Sequence, residues 1–287
     1  MGYDIHLLPE SEHPYLLSEI PEPPKELWSA GAPLVPDRVH LTVVGSRKYT
    51  SYGKDVCEEL IAGLAGYDIA IVSGLAMGID TIAHNAAIDA ELQTIAVPGS
   101  GLHPDVLYPR TNLALAKRIL EHDGTLLSEF TPDSPAARWT FPKRNRIMAG
   151  LSQATLIIEC TERSGTRITA RLATDYNRDV FAVPGNIFSE TSVGTNKLIA
   201  LGATPIMSSL DILLALGFNP NTEEATPVDT SDPPPLEASV ITFLAEPKDR
   251  EEVLAFLELP INEATVLLMK MEIAGLIKET MSGLRRT

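Results

Sequence analysis

The 287-residue chain is poor in cysteine, in aromatic residues and in positive charge. Its two cysteines, Cys57 and Cys160, lie far apart without ligand spacing. That excludes a disulfide framework and a cysteine zinc site, and fits a reducing cytoplasm. No apolar run approaches the roughly 20 residues that span a bilayer, so no membrane partner is expected. Residues 1–14 lack the basic segment followed by an apolar one that marks a secretory signal. The chain starts Met-Gly, but His6 stands where a myristoylation signal needs Ser or Thr. Lys and Arg number 23 against 38 Asp and Glu, a net charge of −15. Taken whole, that balance argues against a nucleic-acid partner, because phosphates repel carboxylates.

What is present is a globular chain. The 44% hydrophobic content supports a sizeable core and excludes wholesale disorder. The length accommodates one large domain and a small one. Charge is uneven: residues 1–35 hold one basic and six acidic residues, 36–220 hold 16 and 19, and 221–287 hold 6 and 13. Inside the middle block, residues 138–178 carry Arg138, Lys143, Arg144, Arg146, Arg163, Arg167, Arg171 and Arg178 against Glu159, Glu162 and Asp175. An acidic chain thus contains a basic window. A charge run of this kind is most often a solvated helix face.

Short β-rich runs recur at 40–44, 68–72, 94–97, 125–127, 154–159, 179–183 and 204–207. Helical patterns lie between them at 54–64, 79–90, 112–122 and 166–176. Apolar strands alternating with amphipathic helices predict a doubly wound, mostly parallel, Rossmann-like α/β sheet. In such sheets ligands bind beyond the carboxyl ends of the strands. Residues 219–235 are polar, acidic and proline-rich, the composition of a linker. Helical patterns follow at 236–244, 250–257 and 262–274, then Gly275-Leu276-Ile277-Lys278 leads to Ser282-Gly283. Three helices and a β wing describe a winged helix-turn-helix, and equally a helical protein-interaction module. The expected organisation is a short segment at 1–35, a Rossmann-like domain at 36–218, a linker at 219–235 and a winged-helix-like domain at 236–287.

Three features could carry chemistry. Ser73-Gly74-Leu75-Ala76-Met77-Gly78-Ile79-Asp80 follows a strand and opens a helix, which offers N–H groups and a dipole to an anion. It is neither a dinucleotide fingerprint nor a Walker loop. Ser164-Gly165-Thr166 is a second turn of this kind; either could simply cap a helix. Phe141-Pro142-Lys143-Arg144-Asn145-Arg146-Ile147 sets three cations and an amide beside aromatic rings, with Phe141 read as a core anchor. Guanidinium forks match phosphate oxygens, and ring faces stack on bases. Asp80 and His84, one helical turn apart, could be an acid–base pair or could orient the preceding loop. His103 and Tyr108-Pro109 either line the site or turn the chain. No serine sits in a nucleophile elbow and no His-Glu-x-x-His occurs.

These motifs, with Gly45-Ser46-Arg47, Tyr108-Pro109 and Asn112, Leu127-Ser128-Glu129, Thr169-Ala170 and Val180–Gly185, occur in an order that resembles the DNA-processing protein A family (DprA, also called Smf). The resemblance covers roughly residues 15–210, and the tail resembles the family's winged helix. It implies a bacterial recombination mediator that binds and shields single-stranded DNA. Such a protein loads the RecA recombinase during natural transformation, forms homodimers, and needs no metal, nucleotide or catalytic reaction. By the same resemblance Arg47, Lys143, Arg144 and Arg146 grip phosphates and Asn145 bonds phosphate or base. Backbone amides at Ser73, Gly74, Ser164 and Gly165 complete the pocket, with Ser46, Met77, Gly78 and Thr166 in the same motifs.

Two departures stand out. Many members carry a helical domain before the sheet; here about 40 residues precede the first strand, so that domain is expected to be missing or reduced to residues 13–31. The usual Gly-Arg before the sixth strand is Asn177-Arg178, and asparagine tolerates the left-handed turn needed there. A rival is an enzyme, a nucleotide phosphoribohydrolase of the same broad superfamily. Its Pro-Gly-Gly-x-Gly-Thr hallmark is matched only in part by Pro98-Gly99-Ser100-Gly101 and Ser164-Gly165-Thr166, with Glu159 as the acid. Most of the negative charge lies in the two ends of the chain. The middle block is nearly neutral, which leaves room for a focused, salt-sensitive site for single strands.

Overall fold

The computed structural model describes residues 3–162, 164–219, 235–280 and 283–286. Arg163, nearly all of the expected linker and Ser282 lie outside the described residues. The chain falls into two compact units, divided between Pro220 and Asn221.

The large unit is built on one nine-stranded sheet. Its elements run β1 (His6–Leu7), α1 (Tyr15–Ser18), β2 (Trp28–Gly31), β3 (Val39–Val44), α2 (Ser51–Ala62), β4 (Ile69–Ser73), α3 (Ile79–Asp89) and β5 (Thr94–Ala96). They continue with α4 (Leu113–Glu121), β6 (Thr125–Ser128), α5 (Thr140–Leu151), β7 (Ala154–Ile157), α6 (Thr166–Asp175), β8 (Asp179–Ala182), α7 (Val193–Ala200), β9 (Thr204–Pro205) and α8 (Ser209–Ala215). The spatial order is β1-β2-β6-β5-β4-β3-β7-β8-β9. The seven strands from β3 onward pair parallel with one another, as expected. The chain steps outward from β3 to β6, then restarts on the other side of β3 with β7. Strands β3 and β7 therefore bound a topological switch point, the place where open α/β sheets hold ligands.

Burial explains the strands. All residues of β4 and β7 are buried, the signature of a sheet covered on both faces. Alternate residues serve opposite layers. Leu41 and Val43 join the core under α2 and α3, whereas Val44 joins the core under α5 with Ile147, Met148 and Leu151. Between them Thr42 turns to the α5 side, where its Oγ1 bonds Met148 O at 2.9 Å and Ser152 Oγ at 2.8 Å.

The first 35 residues are not a separate segment. Strand β2 pairs antiparallel with β6, and β1 pairs with β2. Leu8, Leu17, Ile20 and Leu27 are buried in the core that α5 covers. A Cβ on Gly150 would lie 2.8 Å from the Ile20 side chain, so glycine there lets this segment close onto α5. Burying each leucine contributes about 1.5–3 kcal/mol. Asn177 adopts φ 55°, the left-handed turn expected of it.

The small unit consists of α9 (Pro235–Phe243), α10 (Arg250–Leu257), α11 (Ile261–Ile273) and an antiparallel hairpin of β10 (Ile277–Thr280) and β11 (Gly283–Arg286). Val240, Leu244, Val253, Leu257, Leu268, Met271, Ile277 and Leu284 form its core. No helix of the described residues is long and apolar enough to cross a membrane.

Candidate functional site

A cavity of about 470 Å³ opens at the switch point. Its walls include Ser46, Arg47 and Lys48 after β3, Arg144 and Asn145 with Phe141 on α5, and Ser164, Gly165 and Thr166 at the start of α6. Seven of the expected residues are thus gathered from three separate stretches of sequence.

The turn after β3 is shaped by Ser46. Its Oγ donates to Lys48 O at 2.7 Å and accepts from Lys48 N at 3.0 Å. Ser46 is itself buried, and the turn presents Arg47 and Lys48 to solvent. Neither cation has an ion-pair partner among the described residues. The Arg47 guanidinium lies 5.8 Å from the Phe141 ring centroid. Gly78 supports this turn from below. It has φ +90°, and a Cβ there would sit 2.4 Å from Ser46 O. Opposite, Ser164 Oγ accepts from Thr166 N at 3.2 Å, and Thr166 Oγ1 donates to Gly45 O at 3.1 Å. The start of α6, with its positive dipole end, is thereby held against the turn.

The expected amide cradle at 73–74 is corrected. Ser73 is fully buried, and its Oγ donates to Val43 O at 2.7 Å. The N–H of Gly74 donates to Asp80 Oδ2 at 3.1 Å, and that of Ala76 to the same oxygen at 3.4 Å. The internal carboxylate therefore takes the place an external anion would need. Asn112 completes the clamp, donating to Leu75 O at 2.8 Å and to Ala76 O at 3.2 Å. Met77, at the tip, is half exposed and shares a small recess with Tyr108, Pro109, Phe141 and Arg47. Phe141 is only half buried; it is a wall of the site rather than a core anchor, with Tyr108 packed edge-on at 5.6 Å.

Asp80 and His84 do not form an acid–base pair. His84 bonds Thr94 Oγ1 through Nδ1 at 2.7 Å and is wholly buried. Burial, helped by the Arg144 charge, pushes it down to about 3, so it is neutral. Burial pushes Asp80 upward, against the opposing pull of Arg144, the two N–H groups and Arg47.

The Arg-Asn-Arg segment is not an exposed turn. It lies inside α5, with Pro142 in the first turn where its missing N–H costs nothing. Arg144 is buried, and one guanidinium nitrogen donates to both Gly74 O and Val97 O. Burial lowers it to about 10. Arg146 is buried and engages Glu129 Oε2 and Glu22 O. Lys143 lies outside the cavity, 3.3 Å from Glu129 Oε2 and 5.5 Å from the Phe130 ring centroid. These cations were read as phosphate grips, but two of them tie the fold together and the third is paired. The rest of the basic window is dispersed: Arg171 pairs with Asp175 and Arg178 donates to Leu16 O. The cavity also gathers Lys48, which the sequence did not single out and whose signal was only its place beside Arg47.

Glu159 is buried and accepts from Thr50 N at 2.9 Å, Thr50 Oγ1 at 2.7 Å and Thr191 Oγ1 at 2.7 Å.

Comparison with known proteins places the chain in a family. Residues 4–217 match the family model of DNA recombination-mediator protein A. The chain belongs to that family. It is 41% identical to the DNA processing protein DprA of Bacillus subtilis over 202 residues, which cover 70% of this chain and 67% of that protein. It is 35% identical to the protein Smf of Escherichia coli, covering 97% of this chain and 76% of the relative. Among solved structures, DprA from Streptococcus pneumoniae superposes with a TM-score of 0.69 at 39% identity, covering 76% of this chain and 75% of that one. DNA processing protein A from Helicobacter pylori, described for its single-stranded DNA binding mode, gives 0.67 at 30% identity, covering 75% and 98%.

Proposed function

We propose that the chain is a single-stranded DNA-binding recombination mediator, and that the switch-point cavity is its DNA site. The observation that carries this reading is the grouping of Arg47 and Lys48, two exposed cations without carboxylate partners among the described residues, with the Phe141 ring and the α6 terminus. A cationic groove beside an aromatic face is the recurrent device for holding a single strand without reading its sequence. Arg47 and Lys48 take phosphates, and Asn145 with Ser164, Gly165 and Thr166 supplies polar contacts. Met77 and Phe141 meet a base, Gly78 and Ser46 set the turn, and Arg144 and Arg146 keep the walls in place. Lys143 is available to a strand that displaces Glu129.

Family membership supports the finer reading: protection of incoming DNA and loading of RecA in transformation or recombination, in the cytoplasm and as a homodimer. Leu210 and Leu214, exposed one turn apart on α8, supply an apolar face for a second copy. Three helices and a hairpin support a winged helix in the tail.

The phosphoribohydrolase alternative needs a free acid. Glu159, its candidate, is occupied by Thr50 and Thr191, which supports a binding protein without catalysis. A gel shift with single- and double-stranded DNA across a salt series tests the proposal, with preference for single strands expected. Base release from AMP or CMP, abolished in Glu159→Ala, would overturn it.

A further inference from the structure

Beside the cavity, the carboxyl rim of the sheet exposes aromatic rings that no core requires. Tyr49 and Tyr52, in the β3–α2 turn and the first turn of α2, are each 44% exposed. Phe188, in the loop between β8 and α7, is 90% exposed. Single exposed apolar residues are ordinary. Their placement here is not. Strands β3 and β8 flank β7 on either side, so both loops rise from one rim, one strand apart.

The two loops are also built as one ledge. Buried Glu159, between them, accepts from Thr50 on one side and Thr191 on the other. Tyr52 Oη donates to Pro184 O at 2.7 Å, a second tie between the loops. Asn186 Oδ1 accepts from Phe188 N at 2.9 Å and fixes the turn that carries the ring. Lys48 joins the ledge to the cavity: it lines the cavity wall and immediately precedes Tyr49.

We propose that Tyr49, Tyr52 and Phe188, with Lys48, form a second binding segment for a nucleic-acid single strand. Bases leaving the cavity stack on the ring faces, and Lys48 takes the phosphate at the junction. The inference rests on the single-strand reading of the cavity. It commits to unstacked bases because aromatic faces that alternate with a cation, continuous with a phosphate site, match that ligand. Every base has a π-face, so the ledge adds affinity without sequence preference.

The test compares fluorescently labelled oligo-dT of roughly 6 and about 20 nucleotides, inside and beyond the span of a small site. Titrations use the full chain as wild type, Tyr49→Ala/Phe188→Ala, Tyr49→Phe and Arg47→Ala. The wild type is expected to bind the long strand more tightly than the short one. The double alanine variant should lose at least about tenfold on the long strand, the equivalent of one stacked base, with the short strand unchanged. Tyr49→Phe keeps the ring and should keep the gain. A double variant that retains the full length-dependent gain overturns the ledge, while loss of short-strand binding in Arg47→Ala would leave the cavity reading intact. A wild type that binds neither strand overturns both. Thermal melting by circular dichroism confirms that each variant is folded.

Discussion

Arg144 donates from one guanidinium nitrogen to the carbonyl oxygens of Gly74 and Val97, and so ties α5 to the carboxyl ends of β4 and β5. A cation in a motif that looks made for phosphate is spent on the backbone of its own sheet. Gly74 permits this: a Cβ there would lie 2.2 Å from the Arg144 guanidinium. Arg144→Ala leaves buried carbonyls unpaired, each costing about 1–3 kcal/mol. Arg144→Lys is expected to recover little, because an ammonium lacks the planar fork. Chemical denaturation midpoints measure both, and a variant as stable as wild type would show that the contact is dispensable.

Glu129 is nearly buried and holds both Arg146 and Lys143. Breaking a buried pair by removing one partner costs about 3–5 kcal/mol. Glu129→Gln should therefore lower stability sharply. Lys143→Ala should lower it far less, since that lysine is half exposed. The ratio of the two losses, read from urea midpoints, checks whether Arg146 or Lys143 is the structural partner.

His84 provides a pH signature. Its folded value of about 3 lies below the usual 6.5, so between those values the unfolded chain holds a proton that the native one lacks. Stability from this group is complete above pH 6.5 and is lost as pH falls towards 3. The slope is at most about 1.4 kcal/mol per pH unit. His40, pushed by burial down to about 4, acts in the same direction. Unfolding free energies between about pH 6 and pH 4 should rise with pH in the wild type, and less steeply in His84→Gln by about one proton. Equal slopes would mean that His84 titrates normally.

Much of the sheet was legible because parallel strands buried on both faces read as continuous apolar runs. Strands β1 and β2 were not. Trp28-Ser29-Ala30-Gly31 carries no β-branched residue, and its strand exists because β6 offers it a partner. Helix α8 was missed as well: it is too short for a periodic pattern and is opened by the Ser208–Asp211 capping box. The site was legible as a set of motifs and illegible as a set of roles. Nothing in Lys143-Arg144-Asn145-Arg146 shows that Glu129 and three backbone carbonyls wait for those cations. Nor does the Ser73–Asp80 motif show that its own aspartate fills the cradle. Lys48 looked ordinary because its proposed role follows from having no ion-pair partner among the described residues, which only the folded chain displays.

The proposed phosphate grip is Arg47 with Lys48, and the salt dependence of oligo-dT binding tests it most directly. Binding constants from anisotropy, taken over a salt series, give a slope that counts released counterions, about 0.7 for each phosphate contact on a single strand. Arg47→Ala/Lys48→Ala is expected to bind more weakly at every salt concentration, with the slope shallower by about 1.4. Binding of the double variant with wild-type affinity and wild-type slope would contradict the account.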